Sequence, residues 1–263
     1  MTFNNKVVWI TGASSGIGKS LAIALSKENC KLILSSRRKE ALEKVKALCN
    51  HSENVSVLPL DLAETDSLTS IANHAISIFG KIDVLINNGG ISQRSAIIET
   101  TLEVDRKLME VDYLGTVALS KALLPHFVAN QSGHYVVVSS LMGKFSSPLR
   151  SAYCGAKHAL HGFFDAMRLE HGKDQVKVTM ICPGFVNTNV ARNALTADGS
   201  KQGDQDEMTE KGLHVDVFTK KMLQAIRKEK FEAYIGKKER FAIYLKRISP
   251  RLLHKLVLRS KVR

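Results

Sequence analysis

A doubly wound α/β fold, one parallel sheet with helices on both faces, is the architecture this sequence predicts. Three observations predict it. Short apolar, β-branched runs alternate with segments of helical pattern. The first such run leads straight into a glycine-rich turn that opens a helix. The length, 263 residues, suits one α/β domain with a large core.

Taken in order, residues 6–11 are apolar and β-branched, as a strand buried on both faces requires. Residues 16–28 follow as a helix, 31–36 as a second strand, and 39–49 as a helix of good formers. A third strand spans 55–60, a helix closed by Gly80 spans 65–79, and a fourth strand spans 83–86. Residues 102–130 read as helices, 134–139 as a strand, 151–171 as a helix and 176–182 as a strand. Right-handed crossovers then wind the sheet in both directions. Residues 189–212 break the rhythm: they are polar, carry Gly199 and Gly203, and are too long for a connecting turn. They start just past a strand end on the ligand side of the sheet, so they read as a mobile lid or substrate loop. The predicted division is a body at 1–236 and a basic helical extension at 237–263.

Composition is that of a soluble globular protein, 44% hydrophobic and 24% charged. No apolar run approaches the roughly 18–20 residues of a spanning helix. Residues 1–5 are short and polar, so no secretory leader is expected. Cys30, Cys49, Cys154 and Cys182 lack metal-ligand spacing and read as reduced thiols, which places the expected location in the cytoplasm. The net charge of +13 is unevenly spread: residues 220–263 hold 15 Lys/Arg against 3 Asp/Glu, whereas residues 1–219 hold 23 against 22. A nearly neutral body argues against nucleic acid as a partner, and the tail needs its own account.

The tail admits two readings. Phe241, Tyr244, Leu245 and Ile248 follow the i, i+3, i+4, i+7 stripe of an amphipathic helix. Ser249-Pro250 is a restart signal, after which Leu252, Leu253, Leu256 and Val257 form one face and Arg251, Lys255 and Arg259 another. Such helices either lie peripherally on an anionic membrane surface or pack their apolar faces on the body or on another subunit.

The chemistry is concentrated in Tyr153-Cys154-Gly155-Ala156-Lys157, with Ser140 thirteen residues before the Tyr. A Tyr and a Lys four apart share one face of a helix. There an ammonium can lower the phenol's pKa from its ordinary value of about 10. A phenol so tuned can pass a proton to or from a substrate oxygen. The turn Thr11-Gly12-Ala13-Ser14-Ser15-Gly16-Ile17-Gly18 sits between a strand and a helix, where glycine lets backbone approach a pyrophosphate and the helix N-terminus attracts its charge.

These motifs, with Asn87-Asn88-Gly89-Gly90 and Pro183-Gly184 in the same order and spacing, resemble the short-chain dehydrogenase/reductase family over residues 5–190. The stretches Tyr113-Leu114-Gly115-Thr116-Val117 and Thr196-Ala197-Asp198-Gly199-Ser200 resemble its animal member 7B-like branch. The resemblance implies a Rossmann fold, a nicotinamide cofactor, a small-molecule carbonyl or alcohol substrate, and a dimer or tetramer. It also implies roles. Tyr153 would be the general acid or base, Lys157 would support it and bond the nicotinamide ribose, and Ser140 would hold the substrate oxygen, with Ser139 as rival claimant. Thr11, Gly12, Ser14, Ser15, Gly16, Ile17 and Gly18 would cradle the pyrophosphate. Asn87, Asn88 and Gly89 would flank the adenosine ribose, with Asp61 and Leu62 at the adenine; Asp61 reads equally as a cap. Pro183, Gly184 and Val186 would line the nicotinamide pocket, and Thr188 would bond the carboxamide.

Cofactor choice follows from charge. An acidic residue at the end of the second strand would bond a ribose 2′-hydroxyl and select NAD. This chain has Ser36 there, followed by Arg37 and Arg38. A guanidinium can pair with a 2′-phosphate in bidentate fashion, so the expected cofactor is NADP(H).

Three departures from the family pattern stand out. The family's Asn-Asn-Ala-Gly is Asn-Asn-Gly-Gly here, and Gly155 places a helix-weakening residue between Tyr153 and Lys157. Asp112 stands where the family has an Asn whose main-chain carbonyl holds a water in the proton path. Asp keeps that carbonyl but adds a carboxylate that opposes Lys157, so Asp112 joins the expected catalytic set. The leading expectation is an NADPH-dependent reductase of a hydrophobic ketone or aldehyde such as a lipid, steroid or retinoid, with Phe145, Leu149, Phe185 and Val186 near the substrate. An NAD-linked alcohol dehydrogenase and a non-catalytic cofactor-binding regulator remain as alternatives.

Overall fold

The apolar runs assemble as seven parallel strands: β1 (Val7–Thr11), β2 (Lys31–Ser35), β3 (Val55–Val57), β4 (Val84–Asn87), β5 (Gly133–Val138), β6 (Val176–Pro183) and β7 (Glu232–Ile235). Their spatial order is β3-β2-β1-β4-β5-β6-β7. The chain winds outward from β1 in one direction and from β4 in the other, as a doubly wound sheet does. The protein's structure is a computed structural model and describes residues 1–259. Residues 260–263 of the expected extension lie outside the described residues.

Period-2 alternation divides the core. Val8 and Ile10 of β1 face one side, where they meet Leu21 and Leu25 of α1 (Gly16–Leu25) and Phe218 and Met222 of α8 (Val215–Arg227). Val7 and Trp9 face the other, against α3 (Leu68–Phe79), α5 (Gly115–Ala129) and α6 (Ser151–His171). Trp9 is wholly buried and donates its indole N–H to Ser35 Oγ at 2.8 Å, so its polar atom is satisfied. Gly80 ends α3 in the left-handed conformation, φ 78°, as its position in the sequence predicts.

Two elements escape the sequence reading. Helix α8 and strand β7 close the sheet beyond Cys182, where no strand is expected. β7 is only four residues long and alternates buried with half-buried positions, the weak signature of an edge strand. The helical stretch 102–130 is also interrupted. α4 (Leu102–Met109) passes through a π-helical turn (Glu110–Leu114) before α5, and Asp112 lies in that turn. The remaining helices are α2 (Lys39–Lys46), α7 (Glu207–Glu210), α9 (Ala242–Ile248) and α10 (Pro250–Arg259).

The segment 189–212 is tied to the body at several points. Leu195 bridges to Gln93, Ala191 and Ala194 are fully buried, and Asp206 is 5% exposed. Its carboxylate takes a bond from Arg94 Nε at 2.8 Å and lies 3.3 Å from Arg150 Nη2.

Candidate active site

The carboxyl ends of β1 and β4 meet at the switch point of the sheet, where α/β folds bind their ligands. Thr11 Oγ1 accepts the backbone N–H groups of Asn88 (3.0 Å) and Gly89 (2.9 Å), and Asn88 Nδ2 donates to the Thr11 carbonyl at 3.0 Å. These bonds lock the glycine turn to the end of β4. Gly12 has φ 64°, and a Cβ there would stand 2.8 Å from Gly89 Cα. A Cβ at Gly18 would stand 2.3 Å from the Gly12 carbonyl oxygen, so the turn tolerates no side chain at either place. Ser15 begins α1 without a side-chain cap, leaving the first N–H groups free for an anion. Ser14 and Ile17 flank it, and Thr188 places its Cγ2 where a Gly16 Cβ would come within 3.3 Å. The loop after β6 therefore crosses directly over the helix start.

At the end of β2, Ser36 Oγ is buried with no hydrogen-bond partner, while Arg37 and Arg38 are exposed and without a carboxylate partner among the described residues. An orphaned hydroxyl beside two guanidinium groups, next to an uncapped helix start, fits the ribose and phosphates of a dinucleotide. Asp61 Oδ1 accepts the Ala63 N–H at 3.0 Å, the capping role its sequence also allows. Leu62 is buried beneath Gly89, where a Cβ would approach Leu62 Cδ1 to 2.8 Å. Asn87 points the other way, donating to Ser120 Oγ of α5 at 2.9 Å and leaving its own Oδ1 unpaired.

Ser140 and Tyr153 open onto one cavity of about 630 Å³. Ser140 follows β5, and its Oγ accepts the Met142 N–H at 3.1 Å, which fixes the short turn Leu141–Gly143. Ser139 does not reach the cavity lining. Its hydroxyl is buried against α6, donating to the Lys157 carbonyl at 3.2 Å and lying 3.0 Å from His161 Nε2. Of the two serines, only Ser140, the one the spacing to Tyr153 favours, lines the cavity.

Lys157 lies one turn behind Tyr153, its ammonium 5.6 Å from the phenol ring centroid. The ammonium donates to the Val138 carbonyl at 3.3 Å and sits 3.2 Å from Asp112 Oδ2. Asp112 is wholly buried, with Oδ1 accepting the Ile91 N–H at 2.7 Å. Burial pushes the Asp112 carboxyl above its ordinary range, against the pull of Lys157 and Ile91. Burial also works against charge on Lys157, but the neighbouring Asp112 and Tyr153 outweigh it and hold the ammonium above its ordinary value. A Cβ at Gly90 would come within 3.1 Å of Asp112 Oδ1, so the Asp112 carboxylate packs directly against the Gly90 backbone.

The cavity wall is apolar: Phe145, Phe185, Val186, Val190 and Met208 contribute from the body. Leu149, also expected there, is absent from the lining and instead accepts the Ser95 N–H at its carbonyl. Pro183 and Gly184 form the floor.

Five supporting residues carry no sequence signal. Gln93, fully buried, accepts the Ala152 N–H at 3.0 Å and so caps the helix that bears Tyr153 and Lys157. Glu239 Oε1 accepts the N–H groups of Phe185 (3.2 Å) and Lys237 (3.0 Å), clasping the Gly184 turn. Arg94 and Arg150, both lining the cavity, share the single carboxylate of Asp206. Cys154 and the other thiols are buried and unpaired; burial raises the Cys154 thiol, which suits packing rather than nucleophilic work.

The C-terminal helices supply the roof. Ala242, Leu245, Leu253, Leu256 and Val257 of the C-terminal helices cover the cavity. The periodicity in the sequence puts Phe241, Tyr244, Leu245 and Ile248 on one stripe. In the structure Leu245 joins Ile243 and Leu253 against Leu141 and Phe145, while Phe241, Tyr244 and Ile248 stay exposed. The inward face is chosen by the apolar cavity below, which periodicity does not reveal.

Known proteins share this organisation. A relative from Drosophila melanogaster, dehydrogenase/reductase SDR family protein 7-like, is 43% identical over 94% of this chain and 78% of its own. Dehydrogenase/reductase SDR family member 7B from Bos taurus is 40% identical over 96% of this chain and 80% of its own. The solved structure of ElxO with NADP bound matches with a TM-score of 0.67 and 31% identity, over 70% of this chain and 75% of that one. The short chain dehydrogenase family model matches residues 6–199, the stretch that holds the glycine turn, Ser140, Tyr153 and Lys157, and the chain therefore belongs to that family of oxidoreductases, in its member 7 and 7B-like branch.

Proposed function

We propose that the protein is an NADP(H)-dependent carbonyl reductase, reversible as an alcohol dehydrogenase, acting on a bulky apolar substrate. One observation carries the reading: Ser140 and Tyr153 open onto the same apolar cavity, and a charged Lys157 lies directly behind Tyr153. A bound nicotinamide, held between the turn at residues 12–18 and the loop at residues 183–188, would supply the hydride for reduction and take it back in oxidation. In reduction Tyr153 Oη donates its proton to the substrate oxygen as negative charge grows there. Ser140 Oγ donates a hydrogen bond to the same oxygen, and Lys157 stabilises the charge left on the phenol oxygen. In oxidation Tyr153 takes the proton from the alcohol and Ser140 holds the oxygen in line.

The preference for NADP(H) rests on Ser36, Arg37 and Arg38, and the NADP in the ElxO structure supports it. Arg37→Asp replaces a partner of the 2′-phosphate by a group that repels it. Its expected result is a fall in the NADPH-to-NADH ratio of kcat/KM by roughly tenfold or more, one lost charge-assisted bond being worth about 1.5–3 kcal/mol. Steady-state kinetics with both cofactors checks it; an unchanged ratio would remove the assignment.

Asp112 tunes the proton step. Its carboxylate, when ionised, offsets the pull of Lys157 on the phenol oxygen. Asp112→Asn leaves the ammonium uncompensated, so alcohol oxidation should reach half its plateau at a pH lower by about one unit. The pH–rate profile of the two proteins decides this, and coincident profiles would show that only the main chain of Asp112 matters. The reading as a whole is tested by NADPH oxidation against steroid, retinal, quinone and acyl-ketone panels. NADPH binding with no turnover on any of them, in the presence of lipid vesicles, would favour a regulatory protein instead.

A further inference from the structure

Two cavities meet at the C-terminal helices. One is the substrate cavity, roofed by α9 and α10. The other, about 580 Å³, is a groove between α8, β7 and the start of α9. Lys221, Lys228, Lys230 and Arg240 line it beside Phe241 and Tyr244. Its one carboxylate, Glu232, is already engaged by Lys144, Tyr234 and His161. None of the four cations has a carboxylate partner among the described residues. Phe241 borders both cavities.

The outer face of the same helices is apolar and cationic together. Ile248 is 83% exposed, Leu258 65% and Leu252 47%, with Tyr244 beside them. Between Arg240 and Arg259 there is no Asp or Glu, while Lys246, Arg247, Arg251, Lys255 and Arg259 are all exposed. Exposed aliphatic side chains interleaved with charges of a single sign mark an interaction surface.

We propose that this face docks on an anionic phospholipid bilayer, with headgroup phosphates in the basic groove and Ile248, Leu252 and Leu258 in the outer acyl layer. Charge complementarity selects this occupant. A second copy of the same face would bring cation against cation. Nucleic acid would satisfy the cations but offers nothing to three aliphatic side chains. No described helix is long and apolar enough to cross a membrane, and docking at the surface needs none. The roof of the substrate cavity then lies on the lipid, so a carbonyl dissolved in the bilayer reaches Tyr153 without crossing water. That consequence rests on the proposed reductase reading; the docking does not.

The test uses the full chain and no turnover. Co-sedimentation is measured with phosphatidylcholine vesicles, with and without phosphatidylserine, at low salt and at about 0.5 M salt, where exposed charges are screened. The protein should pellet with the phosphatidylserine vesicles, pellet weakly with phosphatidylcholine alone, and be released by salt. The triple variant Ile248→Asp, Leu252→Asp, Leu258→Asp should bind at least roughly tenfold more weakly while keeping NADPH binding in solution. If that variant does not fold, Lys228→Glu with Lys230→Glu, at exposed positions of the groove, should give a loss of the same sign. Wild-type protein that stays in the supernatant with phosphatidylserine vesicles would overturn the proposal. So would folded variants that bind as the wild type does, or a wild-type dimer that the triple variant dissociates while vesicle binding stays intact.

Discussion

Tyr153→Phe should lower kcat/KM for carbonyl reduction by about 10²–10⁴-fold, the range that a positioned general acid contributes. The phenyl ring keeps the packing beneath Lys157 and removes only the hydroxyl proposed to hand over the proton. NADPH affinity, read by fluorescence titration, should therefore stay close to wild type, and thermal stability should be unchanged. The split between binding and turnover identifies the proton step. A variant with both parameters reduced would point to a distorted site, and a variant with full activity would remove Tyr153 from the chemistry. Ser140 is not a substitute acid: its Oγ accepts the Met142 N–H and its O–H can hold the substrate oxygen, but an aliphatic hydroxyl is too weak an acid to hand over the proton in place of a phenol.

The largest expected effect on stability belongs to Asp206. Its side chain lies between two guanidinium groups that are 7% and 5% exposed, those of Arg94 and Arg150. Burial, together with the charge of Arg94, already pushes Arg150 down to about 10 in spite of Asp206. Asp206→Asn leaves both cations without a counter-charge, and removing one partner of a buried pair costs about 3–5 kcal/mol. For a chain of this size the melting temperature should fall by roughly 10 °C. The sign of the pH dependence is also determined. Burial alone would raise the Asp206 carboxyl, but the hydrogen bonds and charge of Arg94, with Gln202 and Arg150, hold it below its ordinary value. A carboxylate depressed in the folded state stabilises above the unfolded value of about 3.9 and loses that contribution as pH falls through the folded value. Urea midpoints of wild type and Asp206→Asn should differ at pH 7 and converge below about pH 4. A constant gap across that range would mean the carboxylate is not ionised in the fold. Because Asp206 anchors the segment that sends Val190 and Met208 into the cavity, KM should rise with the loss of stability.

Much of the site could be read before the fold was known, for a physical reason. The glycine turn, Ser140 and the Tyr153/Lys157 pair each satisfy a local rule: a positive φ, a strand end, a spacing of one helical turn. Rules of that kind leave a mark in consecutive residues. The residues that hold the site together do not. Gln93 is fifty-nine positions before the N–H it caps, and Asp206 is 112 positions after Arg94. Glu239 reaches back 54 residues to the Phe185 N–H. Nothing near any of them in the chain distinguishes a buried clasp from a solvated polar side chain. Gly184 shows the same point from the other side. A Cβ there would sit 2.2 Å from Glu239 Oε1, and only the fold supplies that neighbour.

The tail divides along this line. Its helices, its cations and its two-sided apolar character are properties of consecutive residues, and periodicity reports them. Which apolar residues turn inward is decided by what lies underneath, because burial is a relation between a helix face and a surface formed by distant segments. The cavity beneath α9 and α10 draws Ile243, Leu253 and Val257 down and leaves Tyr244, Ile248 and Leu252 in the open. The proposed catalytic types and the winding of the sheet were thus written in local pattern. The shape of the pocket and its roof came into being only with tertiary packing, and so did the pairing of Asp112 with Lys157, made when the π-helical turn packed on α6 and took both groups out of water.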